Sequence, residues 1–122
     1  MTDLKDLYTI AIERGSKIVS AESCTAGLLA ACLTEMPGSS AFFEQGYITY
    51  SNRSKISVLG VDKKTLERHG AVSEEVAKQM AKGALNKIKG HDSYFNHRHC
   101  WSRWERLQTR RFSLLCNCQK KW

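Results

Sequence analysis

The sequence predicts an α/β domain, a sheet with helices packed on it, in residues 1–92, followed by a basic tail over residues 93–122. Strand-like and helix-like segments alternate through the first part, which is the pattern of an α/β sheet. The 122 residues are 42% hydrophobic and 25% charged, as in an ordinary globular protein of one domain. No segment is long and apolar enough to span a membrane, and the N-terminus does not resemble a signal peptide, so we expect a cytoplasmic protein with no membrane partner.

The first predicted elements are a helix, a strand and a second helix. Apolar residues at helical spacing follow Asp3, a suitable N-cap, and Gly15 suits the end of that helix. Residues 17–22 are short, β-leaning and apolar at the centre, which predicts a buried strand. Residues 28–33 carry a second apolar stripe at helical spacing, and the Met-Pro-Gly run at 36–38 ends it.

A second strand and three helices are predicted next. Aromatic and β-branched residues favour a strand over residues 42–50. Short helices are predicted over 53–59 and 63–69, and a long helix with one apolar face over 74–89. All three helices follow residues that favour N-caps, namely Ser51 and Asn52, Asp62, and Ser73. The first two helices end at glycine, Gly60 and Gly70.

The positive charge of the chain is concentrated in its tail. Residues 1–92 contain 12 Lys and Arg against 11 Asp and Glu, whereas residues 93–122 contain seven basic residues and one acidic residue. The tail also holds all three tryptophans and three of the five cysteines, but none of the eight glycines. The net charge of +7 therefore describes the tail, and it does not indicate that the domain binds nucleic acid.

A candidate site lies where the first strand meets the second helix, in the run Ala-Glu-Ser-Cys-Thr-Ala-Gly at 21–27. Ser23 is expected at the turn, beside unsatisfied helix N-terminal N–H groups that can stabilise a developing oxyanion. Ala26 and Gly27 leave room for a ligand to approach the backbone. The alternative is that Ser23 or Thr25 only caps the helix, because serine and threonine are preferred N-caps.

Tyr50 and Lys55 form a second candidate cluster, at the end of the second strand and on the helix that follows it. A serine nucleophile needs a base, and a neutral lysine serves in Ser-Lys variants of the catalytic triad. Such a lysine needs a desolvated or electropositive pocket that lowers its pKa. Tyr50 could relay the proton or donate to the oxyanion; the alternative is a surface lysine beside a tyrosine at the edge of the core.

Five motifs, in order within residues 4–90, closely resemble the CinA C-terminal domain family, the nicotinamide-nucleotide amidohydrolases. The resemblance implies a three-layer α/β/α domain, in the stand-alone form that lacks the large N-terminal domain. The motifs are Ala-Glu-Ser-Cys-Thr-Ala-Gly at 21–27, Pro-Gly-Ser-Ser at 37–40, Tyr-Ser-Asn and a lysine within 50–55, Leu-Gly-Val at 59–61, and Arg-His-Gly-Ala-Val-Ser-Glu-Glu at 68–75.

The resemblance also implies a reaction and its residues. Members of the family hydrolyse the carboxamide of nicotinamide mononucleotide to nicotinate mononucleotide and ammonia, and we expect no metal or other cofactor. A homo-oligomer is implied as well. Ala26 stands where the family commonly has glycine, and we expect its methyl group to matter little. The implied site consists of Ser23 as nucleophile, Lys55 as base, Tyr50 as the partner of Lys55, and Thr25, Ala26 and Gly27 at the substrate.

The tail departs from the family, which continues with a loop like Thr-Gly-Ile-Ala-Gly-Pro-Gly-Gly and then a Lys-Pro-Val-Gly segment. Tryptophan has the single codon TGG, so Trp101 and Trp104 both become glycine when the codons are read one base later. Permitted codons convert residues 95–105 to Ser-Ile-Thr-Gly-Ile-Ala-Gly-Pro-Gly-Gly-Ser, and residues 108–111 to Lys-Pro-Val-Gly. We therefore predict a frameshift near residues 90–92, which leaves the domain incomplete in its C-terminal half.

Other interpretations of the tail remain as alternatives. Its histidines and cysteines are zinc-ligand types, but their spacing fits no familiar zinc site. Its arginines and tryptophans could form a small nucleic-acid-binding module, and an out-of-frame basic peptide could bind polyanions non-specifically. A third possibility is a non-catalytic chain that contacts intact homologues. The residues concerned are His97, His99, Cys100, Cys116 and Cys118 for zinc, and Arg103, Arg106, Arg110 and Arg111 for nucleic acid.

The altered tail is expected to affect both order and activity. Because residues 93–122 have no glycine for tight turns and no clean periodicity, we expect them to be disordered or only loosely docked. Loss of the glycine-rich loop removes backbone N–H groups suited to the phosphate of the substrate. We also expect Lys55 to be hydrated and protonated at neutral pH, so that the chain hydrolyses the mononucleotide poorly or not at all.

Overall fold

A computed structural model of the chain describes residues 4–88 and 111–116. The predicted helices and strands are confirmed within two residues at each end, except that the last helix ends three residues early. Its final turn is closed by i→i−3 bonds from the N–H groups of Lys87 and Ile88, which stop the helix. The elements are α1 Leu4–Glu13, β1 Lys17–Glu22, α2 Leu28–Thr34, β2 Phe43–Ile48, α3 Asn52–Leu59, α4 Lys63–His69, α5 Glu74–Asn86 and β3 Arg111–Cys116, with a 3-10 turn at Ser39–Ala41.

The described strands form a parallel sheet in the order β2-β1-β3, so β1 is the central strand. The ladder between β1 and β2 runs from Ile18 opposite Phe43 to Glu22 opposite Ile48. It continues for one further bond, because the N–H of Thr49 donates to the carbonyl of Glu22 at 2.8 Å. The first residues after the two strands, Ser23 and Thr49, therefore lie side by side at the carboxyl edge of the sheet.

The third strand lies within the tail, so the expectation that all of residues 93–122 are disordered or loosely docked is wrong for Arg111–Cys116. This segment pairs with β1 from Lys17 opposite Arg111 to Glu22 opposite Cys116. The physical reason is that the N–H and C=O groups on the second edge of buried β1 need hydrogen-bond partners, and β3 supplies them. The other expectations for the tail concern side chains and segments outside the described part of the chain.

Apolar side chains cover both faces of the central strand, and this confirms the three-layer α/β/α arrangement. On one face, Val19 and Ala21 pack under helices α3, α4 and α5; on the other, Ile18 packs under α1 and α2. Alternation along β1 therefore divides the core in two. The first cluster also contains Leu59, Val61, Leu66, Val76, Met80 and Ala84, and the second contains Leu7, Tyr8, Ala11, Leu29, Leu33 and Phe42.

Helices α3 and α5 cross at very short distance. A methyl group added at Gly83, inside α5, would overlap the backbone carbonyl of Leu59 at the end of α3. Glycine is therefore needed here for close approach of two backbones, and its φ angle is not the reason. Among the described residues, no helix combines the length and apolar character needed to cross a bilayer.

Candidate functional site

The predicted site residues lie at the carboxyl edge of the sheet. Ser23 follows β1 and is half-buried, Tyr50 follows β2, and Lys55 lies one turn into α3. Helix α3 begins here because the Ser51 hydroxyl accepts a hydrogen bond from the N–H of Ser54, as an N-cap does. The fold thus brings the end of β1, the end of β2 and the first turn of α3 to the same edge.

Lys55 is buried, with 2% of its surface exposed, and the expectation that it would be hydrated is wrong. Its Nζ donates to the backbone carbonyl of Tyr50 at 2.8 Å. Burial lowers the pKa of the Lys55 ammonium below its usual range, and the nearby Cys24 thiol partly offsets this effect. Lys55 is buried without the C-terminal half of the domain because packing of α3 within the described part of the chain already covers it. A lysine with a lowered pKa can act as a base.

Tyr50 contacts Lys55 through its backbone, whereas its side chain is 72% exposed. The structure therefore joins Tyr50 and Lys55, but by the carbonyl and not by the phenolic hydroxyl that a proton relay requires. Ile48 and Leu28 are also large exposed apolar side chains. The ring of Tyr50 is accessible to a substrate at this edge.

The turn between β1 and α2 is organised by Glu22, whose side chain is 1% exposed. One carboxylate oxygen accepts from the N–H groups of Gly27 and Leu29, and the other accepts from Ala30, all at 3.0 Å. The hydroxyl of Ser20 also lies 3.3 Å from the carboxylate. Glu22 therefore takes the helix N-terminal donors and places a negative charge at the positive end of α2.

This arrangement corrects two expectations. The N–H groups of residues 26–30 all have acceptors: Glu22 takes three of them, and the carbonyls of Ser23 and Thr25 take the other two. They are therefore not available as the predicted oxyanion donors. The alternative that Ser23 or Thr25 caps α2 is wrong as well, because the N-cap position is Gly27. A buried carboxylate satisfies more donors than one hydroxyl can.

Thr25 and Gly27 are half-buried and Ala26 is exposed, all within this turn. Ala26 has a φ of 51° and Gly27 a φ of 99°, so two successive residues have left-handed backbone conformations. For alanine this conformation costs about 1 kcal/mol relative to glycine. The methyl group of Ala26 thus carries a backbone cost that the sequence alone did not reveal.

We expect Glu22→Gln to lower the free energy of unfolding by about 2 kcal/mol or more. The amide keeps the size of the side chain, but it loses the charge and turns N–H donors toward the N–H groups of α2. Urea unfolding measures the change. Glu35→Gln is the matched control, because this exposed carboxylate follows the other end of α2. Equal stabilities of the two variants would contradict the capping role of Glu22.

The model of the CinA C-terminal domain family matches residues 3–93 of the chain. The chain belongs to the CinA C-terminal domain family. A CinA-like protein of Chloroherpeton thalassium is 61% identical over 74 residues, which is 61% of this chain and 18% of that protein. The nicotinamide-nucleotide amidohydrolase PncC of Escherichia coli is 53% identical over 76 residues, 62% of this chain and 46% of that protein.

Solved structures of the CinA superfamily share the fold. A competence-damaged protein (CinA) superfamily protein of Escherichia coli superposes with a TM-score of 0.68 at 32% identity, over 73% of this chain and 54% of that one. The competence/damage inducible protein CihA of Agrobacterium tumefaciens gives 0.68 at 43% identity, over 72% and 53% of the two chains. This CinA C-terminal domain therefore spans about half the length of these solved homologues.

Reasoning from the sequence missed two residues of the site, Glu22 and Thr49. The sequence does carry a signal for Glu22: it is an acidic residue at the end of a buried apolar strand, and a buried carboxylate needs several hydrogen-bond donors. Thr49 gives no such signal, since a threonine in a strand is ordinary. Its side chain is 1% exposed, and its hydroxyl has no hydrogen-bond partner within the described part of the chain.

Proposed function

We propose that this CinA C-terminal domain, with its reading frame restored, is an amidohydrolase that converts nicotinamide mononucleotide to nicotinate mononucleotide and ammonia. The observation that carries the proposal is the buried Lys55, whose pKa is lowered by burial, at the sheet edge where Ser23 follows β1. The name of the Escherichia coli relative supports the choice of substrate. The family match supports the carry-over of the motif residues.

In the proposed mechanism, Ser23 and Lys55 act as nucleophile and base. The Ser23 Oγ attacks the carboxamide carbon while its proton passes to the neutral amine of Lys55. The resulting ammonium returns the proton to the leaving nitrogen, so that ammonia departs and an acyl-serine ester remains. A water molecule then attacks the ester carbon while Lys55 accepts its proton, and Lys55 returns that proton to the Ser23 oxygen as nicotinate mononucleotide leaves. The exposed ring of Tyr50 is proposed to contact the substrate at the edge of the site.

We further propose that residues 1–92 are the N-terminal part of the domain and residues 93–122 are an out-of-frame tail. Read one base later, the codons of Trp101 and Trp104 must both encode glycine, and this supports the boundary. The nucleotide sequence across codons 88–106 tests it. We expect the shifted frame to encode Thr-Gly-Ile-Ala-Gly-Pro-Gly-Gly and then, further on, Lys-Pro-Val-Gly. An early stop codon or unrelated residues in that frame would reject the proposal.

Ammonia release tests the function directly. The protein with its frame restored is incubated with nicotinamide mononucleotide, and in parallel with nicotinamide riboside, which lacks the phosphate. We expect hydrolysis of the mononucleotide and much slower hydrolysis of the riboside, because the restored glycine-rich loop presents N–H groups to the phosphate. No ammonia from either compound would overturn the proposed reaction, and equal rates would overturn the proposed role of the phosphate.

A further inference from the structure

Thr49 is a buried residue of the site that the proposed mechanism does not use. It follows β2 directly, its side chain is 1% exposed, and its backbone N–H is fixed to the Glu22 carbonyl at 2.8 Å. Its Oγ1 has no hydrogen-bond partner among the residues that the structure describes. A buried hydroxyl without a partner destabilises a protein, because it has lost its bonds to water. Such a group at a candidate site calls for a physical explanation.

The position of Thr49 relates it to both proposed catalytic groups. It lies beside Ser23 across the end of the β1–β2 ladder. Side chains alternate along a strand, so Thr49 is on the same face as Tyr47, which packs against the cluster containing Leu59. Leu59 belongs to α3, the helix that carries Lys55. The hydroxyl is therefore on the face where α3 packs.

Counting donors shows what the hydroxyl can do. When Lys55 takes the proton of Ser23 it becomes an ammonium with three N–H donors in a buried position. The carbonyl of Tyr50 accepts one of them at 2.8 Å. A second can point to the oxygen or nitrogen of the reacting substrate. The Cys24 thiol is near Lys55 but is only a weak acceptor. The third donor therefore needs a better acceptor, because an uncompensated charge there would oppose the proton transfer.

We propose that Thr49 is a positioning residue for the proposed hydrolysis: its hydroxyl accepts a hydrogen bond from the Lys55 ammonium that forms when Lys55 takes the Ser23 proton. The inference rests on the proposed function. Tyr50, the residue after Thr49, holds the Lys55 Nζ on its carbonyl at 2.8 Å. Rotation about χ1 of Thr49 exchanges its hydroxyl and methyl group, so Oγ1 can be reoriented without movement of the backbone. A bond that forms only with the ammonium favours the reaction more than the resting state.

Labelling of Ser23 by a fluorophosphonate in the present 122-residue chain tests this inference. The reagent is small, so it does not need the glycine-rich loop; Ser23 Oγ bonds to phosphorus, fluoride leaves, and the proton goes to Lys55. We expect Thr49→Val, which keeps the shape but loses the acceptor, to be labelled about tenfold more slowly or worse. Its rate should reach half-maximum at lower pH, since the ammonium has lost an acceptor. Thr49→Ser should restore the rate to within about threefold of the original chain.

Ser16→Ala is the matched control. Ser16 precedes β1 at the opposite end of that strand, is fully buried, and also has a hydroxyl without a partner among the described residues. Both Ser16→Ala and Thr49→Val should keep or raise the thermal stability, but only Thr49→Val should change the labelling of Ser23. Labelling of Thr49→Val at the original rate and pH would overturn the positioning role.

A second readout separates this inference from the proposed function. If the original chain is not labelled at Ser23, or Ser23→Ala is labelled equally, the nucleophile assignment fails. Thr49 is then judged by titration of Lys55, followed by NMR with ¹³C-labelled lysine. We expect the titration midpoint of Lys55 to be lower in Thr49→Val than in the original chain and in Thr49→Ser. An unchanged midpoint would overturn the inference.

Discussion

In the protein with the proposed reading frame restored, Ser23→Ala is expected to reduce ammonia release from nicotinamide mononucleotide by on the order of 10⁴-fold or more. The substitution removes the oxygen that forms the acyl intermediate in the proposed mechanism. Lys55→Met should cost about 10²- to 10⁴-fold, as loss of a general base does, while it keeps a side chain of similar length in the buried position. Full activity of Ser23→Ala would reject the nucleophile assignment.

The pH dependence of this reaction follows from the environment of Lys55. Burial lowers the pKa of its ammonium, and only the neutral amine can accept the Ser23 proton. The rate should therefore rise with pH through the pKa of Lys55, at a pH below the ordinary lysine value of about 10.4. Lys55→Met should abolish this rise. A rate that rises only near the ordinary value would contradict the desolvation of Lys55.

The 122-residue chain itself is expected to release little or no ammonia from the mononucleotide. Of the two reasons expected from the sequence, hydration of Lys55 and loss of the glycine-rich loop, only the second remains. Lys55 is already buried here, so hydration of the proposed base does not contribute. The remaining reason is the proposed loss of the glycine-rich loop, which would bind and orient the substrate phosphate. Full activity in this chain, measured beside the restored protein, would show that the loop is unnecessary.

Gly83→Ala is expected to destabilise the domain by about 3 kcal/mol or more. Alanine is a better helix former than glycine by about 1 kcal/mol, so in an open part of a helix the same change would stabilise. Here the added methyl group meets the backbone carbonyl of Leu59, which cannot turn aside as a flexible side chain can. The sign of the effect therefore depends on the crossing of α3 and α5.

Urea unfolding of Gly83→Ala measures this effect. Lys82→Ala is the control, because Lys82 is exposed and is the neighbouring residue on α5. Its free energy of unfolding should change by no more than about 0.5 kcal/mol. An unfolding free energy of Gly83→Ala equal to or above that of the original chain would show that the two helices can separate without cost.

Local signals predicted most of the fold. Ser51, Asp62 and Ser73 each accept a hydrogen bond from the first turn of the helix that they precede, as their residue types indicate. Gly60 ends α3 with a φ of 68°. In all these cases the deciding contacts lie within a few residues in sequence. Strand Arg111–Cys116 was missed because its partner is distant in sequence and its residues show no clean periodicity.

The site could be predicted in its residue types, but not in its contacts. A turn of small residues after a strand located Ser23, but the same pattern did not show that Glu22 would fill the helix N-terminus. Spacing placed Lys55 on the first turn of α3, whereas its burial depends on packing between distant elements. Local patterns in a single sequence do not show which distant elements pack together.

The pairing of β1 with β3 has a consequence for the synthesis of the chain. One face of β1 packs with residues that are near it in sequence, and helices α3 to α5 are synthesised soon after. The pairing of Lys17 with Arg111 can form only after Arg111 has been synthesised. Closing so long a loop is slow, and proteins emerge from the ribosome N-terminus first. During this interval one edge of the central strand is open to strands of other molecules. Aggregation should therefore compete with folding while the nascent chain is unfinished, and slower translation should favour the aggregate.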